Sequence, residues 1–191
     1  MSFHPYLLTP QAKAKKMMLW FAMISMTMMF AGLTSAYVVS KARPDWLSDF
    51  KLPSAFYVSS LVIIVSSITF WMAFIKLKEK NPSAVTLFTL ITLVLAFVFS
   101  VTQWVGFGSI VADGYYFTGA ESTVTTSFLY VLVITHFAHL IGGIVVLLVV
   151  LFNHLKGCYS DKPLGFVLAH TFWHFLGFLW LYLFVFLFFL R

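Results

Sequence analysis

Charge is scarce in this chain of 191 residues: 9% of positions are Asp, Glu, Lys or Arg, against 61% that are hydrophobic. A water-soluble domain carries roughly 25% charged residues. So small a supply cannot solvate a folded surface, which excludes a soluble enzyme or binding module and leaves an integral membrane protein. Acid is the scarcer sign, with 6 residues against 12 basic ones. A basic excess suits nucleic acid, but here Lys and Arg stand in short groups at the ends of hydrophobic runs. They read as orientation signals and headgroup contacts, and no nucleic-acid partner is expected. Cysteine is nearly absent. Cys158 alone can make neither an internal disulfide nor a thiolate metal site, and is read as a loop thiol without a role. Proline is missing from the middle of every long apolar run, which removes the broken helices that coupled transporters use at the midplane. Pro53, Pro82 and Pro163 stand where runs begin, where a missing N–H is harmless.

What is present is a set of five runs free of Asp, Glu, Lys and Arg: Met17–Ser40, Ser54–Ile75, Val85–Ile110, Thr126–Phe152 and Phe166–Leu190. Each can cross a hydrocarbon core of ~30 Å, which takes about 20 helical residues. Each must be helical, because an open strand leaves backbone groups unsatisfied in lipid. The fold class is therefore all-α: residues 1–191 form a single transmembrane domain, a bundle of five helices. The first run is too long and starts too late for a signal-peptide core, so it is read as retained. Lys13, Lys15, Lys16, Lys76, Lys78, Lys80, Lys156 and Lys162 fall on one side; Lys41, Arg43, Lys51 and Arg191 fall on the other. That bias predicts a cytoplasmic N-terminus and a periplasmic C-terminus. Gly32 with Ala36, Ala31 with Ser35, and Ala138 with Gly142 have the small-residue spacing of helix contacts. Trp20, Trp46 and Tyr159 read as interface anchors.

Four histidines lie inside the runs, His136 with His139 and His170 with His174, each pair on one helix face. Imidazole ligates iron, copper and zinc, so a dihaem cytochrome b-like redox enzyme is one reading. Depth opposes it. Measured from the cytoplasmic end, His139 and His136 lie ~20 and ~24 Å deep, whereas His174 and His170 lie ~12 and ~6 Å deep. A haem bridging the two helices needs ligands near one level, and the best pair misses by ~8 Å. A proton relay is a second reading, because ionisable groups inside membranes are functional suspects. No carboxylate accompanies these histidines within the runs. The reading adopted is neutral imidazoles bonded across helices, with Thr135, Thr171 and Tyr182 as available hydroxyls.

Motif residues then add a resemblance. Ser127, His136, His139 and Gly143 fit the pattern S-x8-H-x2-H-x3-G. Phe172–Trp173–His174–Phe175 is followed by Trp180, Leu181 and Phe184, and Ala36–Tyr37 by Lys41 and Trp46. Gln103 follows Thr102 near the end of the third run. In this order and spacing, across nearly the whole chain, the segments resemble subunit III of haem–copper respiratory oxidases, in its short five-helix bacterial form. Two positions depart from that family's pattern. Gly106 stands where a Glu commonly follows the Gln, and Gly177 where an acid often follows the W-H-F histidine.

The resemblance implies a non-catalytic accessory subunit in the bacterial cytoplasmic membrane, with no active site, haem or metal of its own. Haem and copper are expected in the partner subunits of an oxidoreductase complex, cytochrome c oxidase, that reduces O2 in aerobic electron transport. Subunit I is the expected main contact, with subunit II and other subunits in the complex and a larger respiratory supercomplex left open. Bound phospholipid, support of proton uptake and durability of subunit I are implied too. Tyr37, Lys41, Trp46, Gln103, Ser127, His136, His139, Gly143, Trp173, His174 and Trp180 are then structural, lipid-facing or interhelical residues. A quinol oxidase or a nitric-oxide reductase remains the alternative setting. Roles resting on the two missing carboxylates do not carry over.

Overall fold

Helices in this chain begin at capping residues rather than where the apolar runs begin. The computed structural model describes residues 7, 9–43, 46, 53–115, 117, 119, 123–159 and 163–190. Among these are five helices long and apolar enough to cross a membrane: α1 (Pro10–Ser40), α2 (Ser54–Lys78), α3 (Pro82–Ala112), α4 (Val124–Leu155) and α5 (Leu164–Leu190). No strand occurs among the described residues. α1 starts seven residues before the expected span because Thr9 accepts from the backbone N–H of Ala12 and Pro10 supplies a preset first turn. Asn81 and Pro82 start α3 in the same way, and Thr123 with Thr126 forms a capping box at α4. Lys13, Lys15 and Lys16 thus lie on the helix itself. Lys51, Lys162 and Arg191, counted in the charge bias, lie outside the described residues.

Three helices end by one device. The backbone N–H of Asn81, Tyr115 and Cys158 each reaches back five residues, to the carbonyls of Lys76, Ile110 and Asn153, at 3.0–3.1 Å. This closure needs a left-handed residue just before the donor. Gly114 (φ 86°) and Gly157 (φ 74°) supply it without strain, whereas Lys80 (φ 56°) does so with a Cβ in the way.

α2, α3, α4 and α5 form a closed ring in which each helix packs antiparallel on the next, and α2 also closes on α5. α1 docks outside the ring against α4 and α5. Leu7 and Ala12 meet Leu164 at the start of α5, so α1 and α5 run the same way. The core is aromatic: Phe30, Tyr37, Phe56, Phe70, Phe99, Phe166, Trp173 and Trp180 are all nearly inaccessible. The outer surface is just as apolar, with Trp20, Met28, Trp71, Trp104, Phe178 and Phe189 exposed. Only 17–39% of each helix's most apolar stretch is buried within the chain. Lipid or other protein must cover the rest.

Two expectations are corrected. Gly32, Ala36, Ala31, Ser35, Ala138 and Gly142 face outward, and nothing of the chain lies within 4 Å of where a Cβ on Gly32 or Gly142 would stand. Small residues at that spacing mark where a backbone can be approached, not which neighbour approaches it. Tyr159 and Trp46 are not outward anchors either. Tyr159 is 8% exposed and packs on Phe166, and the Trp46 ring abuts Tyr37 at 4.8 Å.

Lys80→Gly should raise the stability of the α2–α3 corner by up to ~1 kcal/mol, the cost of a left-handed non-glycine residue less glycine's entropy. Thermal unfolding in detergent checks this; a lower midpoint contradicts it.

Candidate functional site

The polar interior is built on α2. Serine can donate and accept at once, and on an apolar helix its hydroxyl bonds back to its own preceding turn. Ser59 and Ser60 both donate to the Phe56 carbonyl, at 3.0 and 2.8 Å, and Ser66 donates across to the Thr92 carbonyl on α3 at 3.5 Å. Each serine oxygen then receives a donor from a neighbouring helix. The Gln103 amide of α3 donates to Ser59 at 2.7 Å, the Trp180 indole of α5 to Ser60 at 3.1 Å, and the Trp173 indole to Ser66 at 3.2 Å. Three motif residues, Gln103, Trp173 and Trp180, thus converge on one helix that the motif reading did not single out. The missed signal was available: Ser59–Ser60 and Ser66–Ser67 repeat at seven residues, hence on one face, in an otherwise apolar run.

The histidines do not make the cross-helix hydroxyl bonds that the sequence suggested. His139 Nδ1 pairs with the Thr135 carbonyl of its own helix at 2.7 Å. Thr171 donates to the Val167 carbonyl, and Tyr182 shares a bond with Thr34 on α1 at 2.9 Å. His136 is 1% exposed, and neither ring nitrogen has a hydrogen-bond partner within the chain. Its neighbours are rings: Trp180 at 5.3 Å between centroids, and Phe30 and Phe99 each at 6.4 Å. His174 pairs with His170 on α5, Nε2 to Nε2 at 3.0 Å.

Register between α4 and α5 follows from two contacts. His136 lies against Trp180, and a Cβ on Gly143 would meet Leu176 at 2.6 Å and Trp173 at 3.2 Å. Trp180 stands six residues beyond His174, ~9 Å along the axis. The two histidine pairs therefore sit at different levels. Among the described residues, no three His, Cys, Asp or Glu side chains converge. The remaining motif residues are packed too. Tyr37 is 1% exposed and touches Trp46, Phe128 and Phe186. Lys41 caps α1, and Ser127 donates to the Phe117 carbonyl at 3.0 Å.

The two glycines at the departures are closed against α2. A Cβ on Gly106 would stand 3.3 Å from the Phe56 ring and 3.4 Å from the Ala55 Cβ; one on Gly177 would stand 3.0 Å from Ser67 Oγ. A larger side chain at Gly106 must push the Phe56 ring aside, whereas one at Gly177 meets the Ser67 hydroxyl at the edge of an open groove.

Apolar helices with inward hydroxyls and an outward apolar surface define a multi-pass α-helical membrane protein. The family model described as cytochrome c oxidase subunit III matches residues 11–191. The chain belongs to that family, the third subunits of haem–copper oxidases. It is 26% identical to cytochrome c oxidase subunit 3 of Alkalihalophilus pseudofirmus over 185 residues, 95% of this chain and 89% of that protein. It is 26% identical to cytochrome c oxidase subunit 3 of Bacillus sp. over 181 residues, 92% of this chain and 86% of that protein. It is 24% identical to cytochrome bo(3) ubiquinol oxidase subunit 3 of Buchnera aphidicola over 173 residues, 88% of this chain and 82% of that protein.

Gly106→Glu, which restores the family's usual acid, should lower stability by ~2 kcal/mol or more, through overpacking and an unpaired charge buried between α3 and α2. Gly108→Ala, with nothing within 4 Å of its Cβ, should be silent. Folded yield after detergent extraction compares them; equal yields refute the steric account.

Proposed function

We propose that this chain is the accessory subunit III of a bacterial cytochrome c oxidase, packed on subunit I and holding no haem, copper or active site of its own. The observation that carries the reading is the family match across residues 11–191, with relatives named as cytochrome c oxidase subunit 3 covered over most of their length. The polar interior supports it: the motif residues Gln103, Trp173 and Trp180 engage serines. The chain sits in the cytoplasmic membrane with its N-terminus inside. Supporting that orientation, Lys13, Lys15, Lys16, Lys76, Lys78, Lys80 and Lys156 gather at one end of the bundle, and among the described residues Lys41 and Arg43 are the basic ones at the other. Its apolar outer surface binds phospholipid and one face of subunit I, within a complex that also contains subunit II. Its contribution is to keep subunit I durable and its proton uptake fast while O2 is reduced. A quinol oxidase is the second reading, favoured by the likeness to the Buchnera ubiquinol oxidase subunit.

Purification through a tag on this chain should bring down a subunit I carrying haem and copper, with cytochrome c rather than quinol as the electron donor. Quinol oxidation instead selects the second reading. Removing the chain should leave the haem bands unchanged, quicken the decay of turnover, and let added phospholipid restore part of the loss. A Soret band belonging to this chain, or removal without effect on rate and lifetime, refutes the proposal.

A further inference from the structure

One groove on the outer surface has a polar floor. It lies between α2 and α5, measures about 340 Å³, and is otherwise walled by isoleucine, leucine and the rings of Trp71 and Phe178. Its two polar side chains are Ser67 and His174. Ser59, Ser60 and Ser66 engage their hydroxyls inside the bundle, whereas among the described residues the Ser67 hydroxyl has no partner within the chain. His174 uses Nε2 on His170, at 3.0 Å, which leaves Nδ1 uncommitted. Gly177 keeps the floor open: a Cβ there would stand 3.0 Å from Ser67 Oγ and 3.5 Å from the Ile63 side chain. An acid often stands at this position in the family, so the opening belongs to this chain rather than to the family pattern.

Depth selects the ligand. Measured from the end of α2 at Lys78, Ser67 lies ~16 Å along the axis, and His174 lies ~15 Å from the start of α5 at Leu164. A hydrocarbon core is ~30 Å thick, so both stand near its middle. An unpaired phosphate or carboxylate is too costly at that level, which excludes a phospholipid headgroup or a fatty-acid head. An acyl chain suits the walls but leaves both polar groups without a bond. We propose that the groove binds a neutral prenylated quinone, its ring between Trp71 and Phe178 and its tail along the helices. The ring is flat, uncharged and electron-poor, which suits stacking on exposed indole and phenyl faces. A carbonyl oxygen of the quinone accepts from the Ser67 O–H and from the His174 Nδ1–H. His170, its ring stacked on Phe74 at 4.5 Å, donates its Nε2–H to His174 Nε2 and so holds His174 in the tautomer required. Mostly apolar walls with a few convergent polar groups are the usual form of a small-molecule site. Binding transfers no electron, so the proposal holds whichever donor feeds the complex.

The test is decylubiquinone titrated into the full-length chain in phosphatidylcholine nanodiscs, where phospholipid is already in excess, followed by quenching of tryptophan fluorescence. The expected result is a saturable component for one site per chain, above the quenching that any dissolved quinone causes. Trp71→Phe should remove most of that component. Ser67→Ala should weaken binding about five-fold, the worth of one hydrogen bond. Gly177→Ala, which covers the hydroxyl, should weaken it at least as much, and Gly108→Ala should leave it unchanged. Each variant is checked for helix content by circular dichroism. Quenching that only rises in proportion to quinone overturns the proposal and leaves the groove to ordinary acyl chains. So does a saturable component that keeps its strength in both Ser67→Ala and Gly177→Ala. Neither outcome bears on the oxidase-subunit reading, since no oxidase activity is measured.

Discussion

In lipid an apolar side chain gains nothing by turning inward, so hydrogen bonds and close shape fit must choose which helix faces meet. In this chain that choice falls to the hydroxyls of α2. Ser59, Ser60 and Ser66 each give a proton to a backbone carbonyl and take one from Gln103, Trp180 or Trp173. The bonds tie α2 to α3 and to α5, two of the four sides of the ring. The aromatic core fills the space that they define: Phe56 stacks on Trp180 at 5.9 Å, and Phe99 meets the same indole edge-on at 5.3 Å. Gly143 lets α4 close onto Trp173 from the opposite side.

The number and nature of the helices were legible in the sequence because both follow from one property, the absence of charge over spans long enough to cross a bilayer. Helix ends were less legible. Thr9 and Asn81 start helices in polar surroundings that hydropathy alone assigns to loops. Facing was hardest, because helices apolar all round carry no inward stripe to read. Hence Gly32 and Gly142, taken as internal contacts, lie on the outer surface, while Tyr159, taken as an anchor, is buried. The different levels of the two histidine pairs could be anticipated, since depth needs only the rise per residue. Their partners could not. Whether His139 bonds to a neighbouring helix or to its own Thr135 carbonyl depends on side-chain rotation that the sequence does not encode.

The two departures from the family pattern have a shared physical origin. At Gly106 and Gly177 the neighbouring atoms belong to α2, which crowds the first atom of any added side chain. At Gly106 the close approach of α2 to α3 leaves little room for a larger side chain. This chain has the close approach. The trade suits a subunit whose proposed contribution is mechanical and lipid-facing.

The central claim is that hydroxyl–indole bonds on α2 fix the bundle, and a double-mutant cycle on Ser60 and Trp180 tests it most directly. Ser60→Ala, Trp180→Phe and the double variant would be compared by unfolding in micelles, so that the cycle cancels the packing lost with the indole. The account predicts a favourable coupling of ~0.6 kcal/mol or more, the scale measured for interhelical bonds in membranes. A coupling indistinguishable from zero would mean that shape alone holds the helices, and the claim would fail.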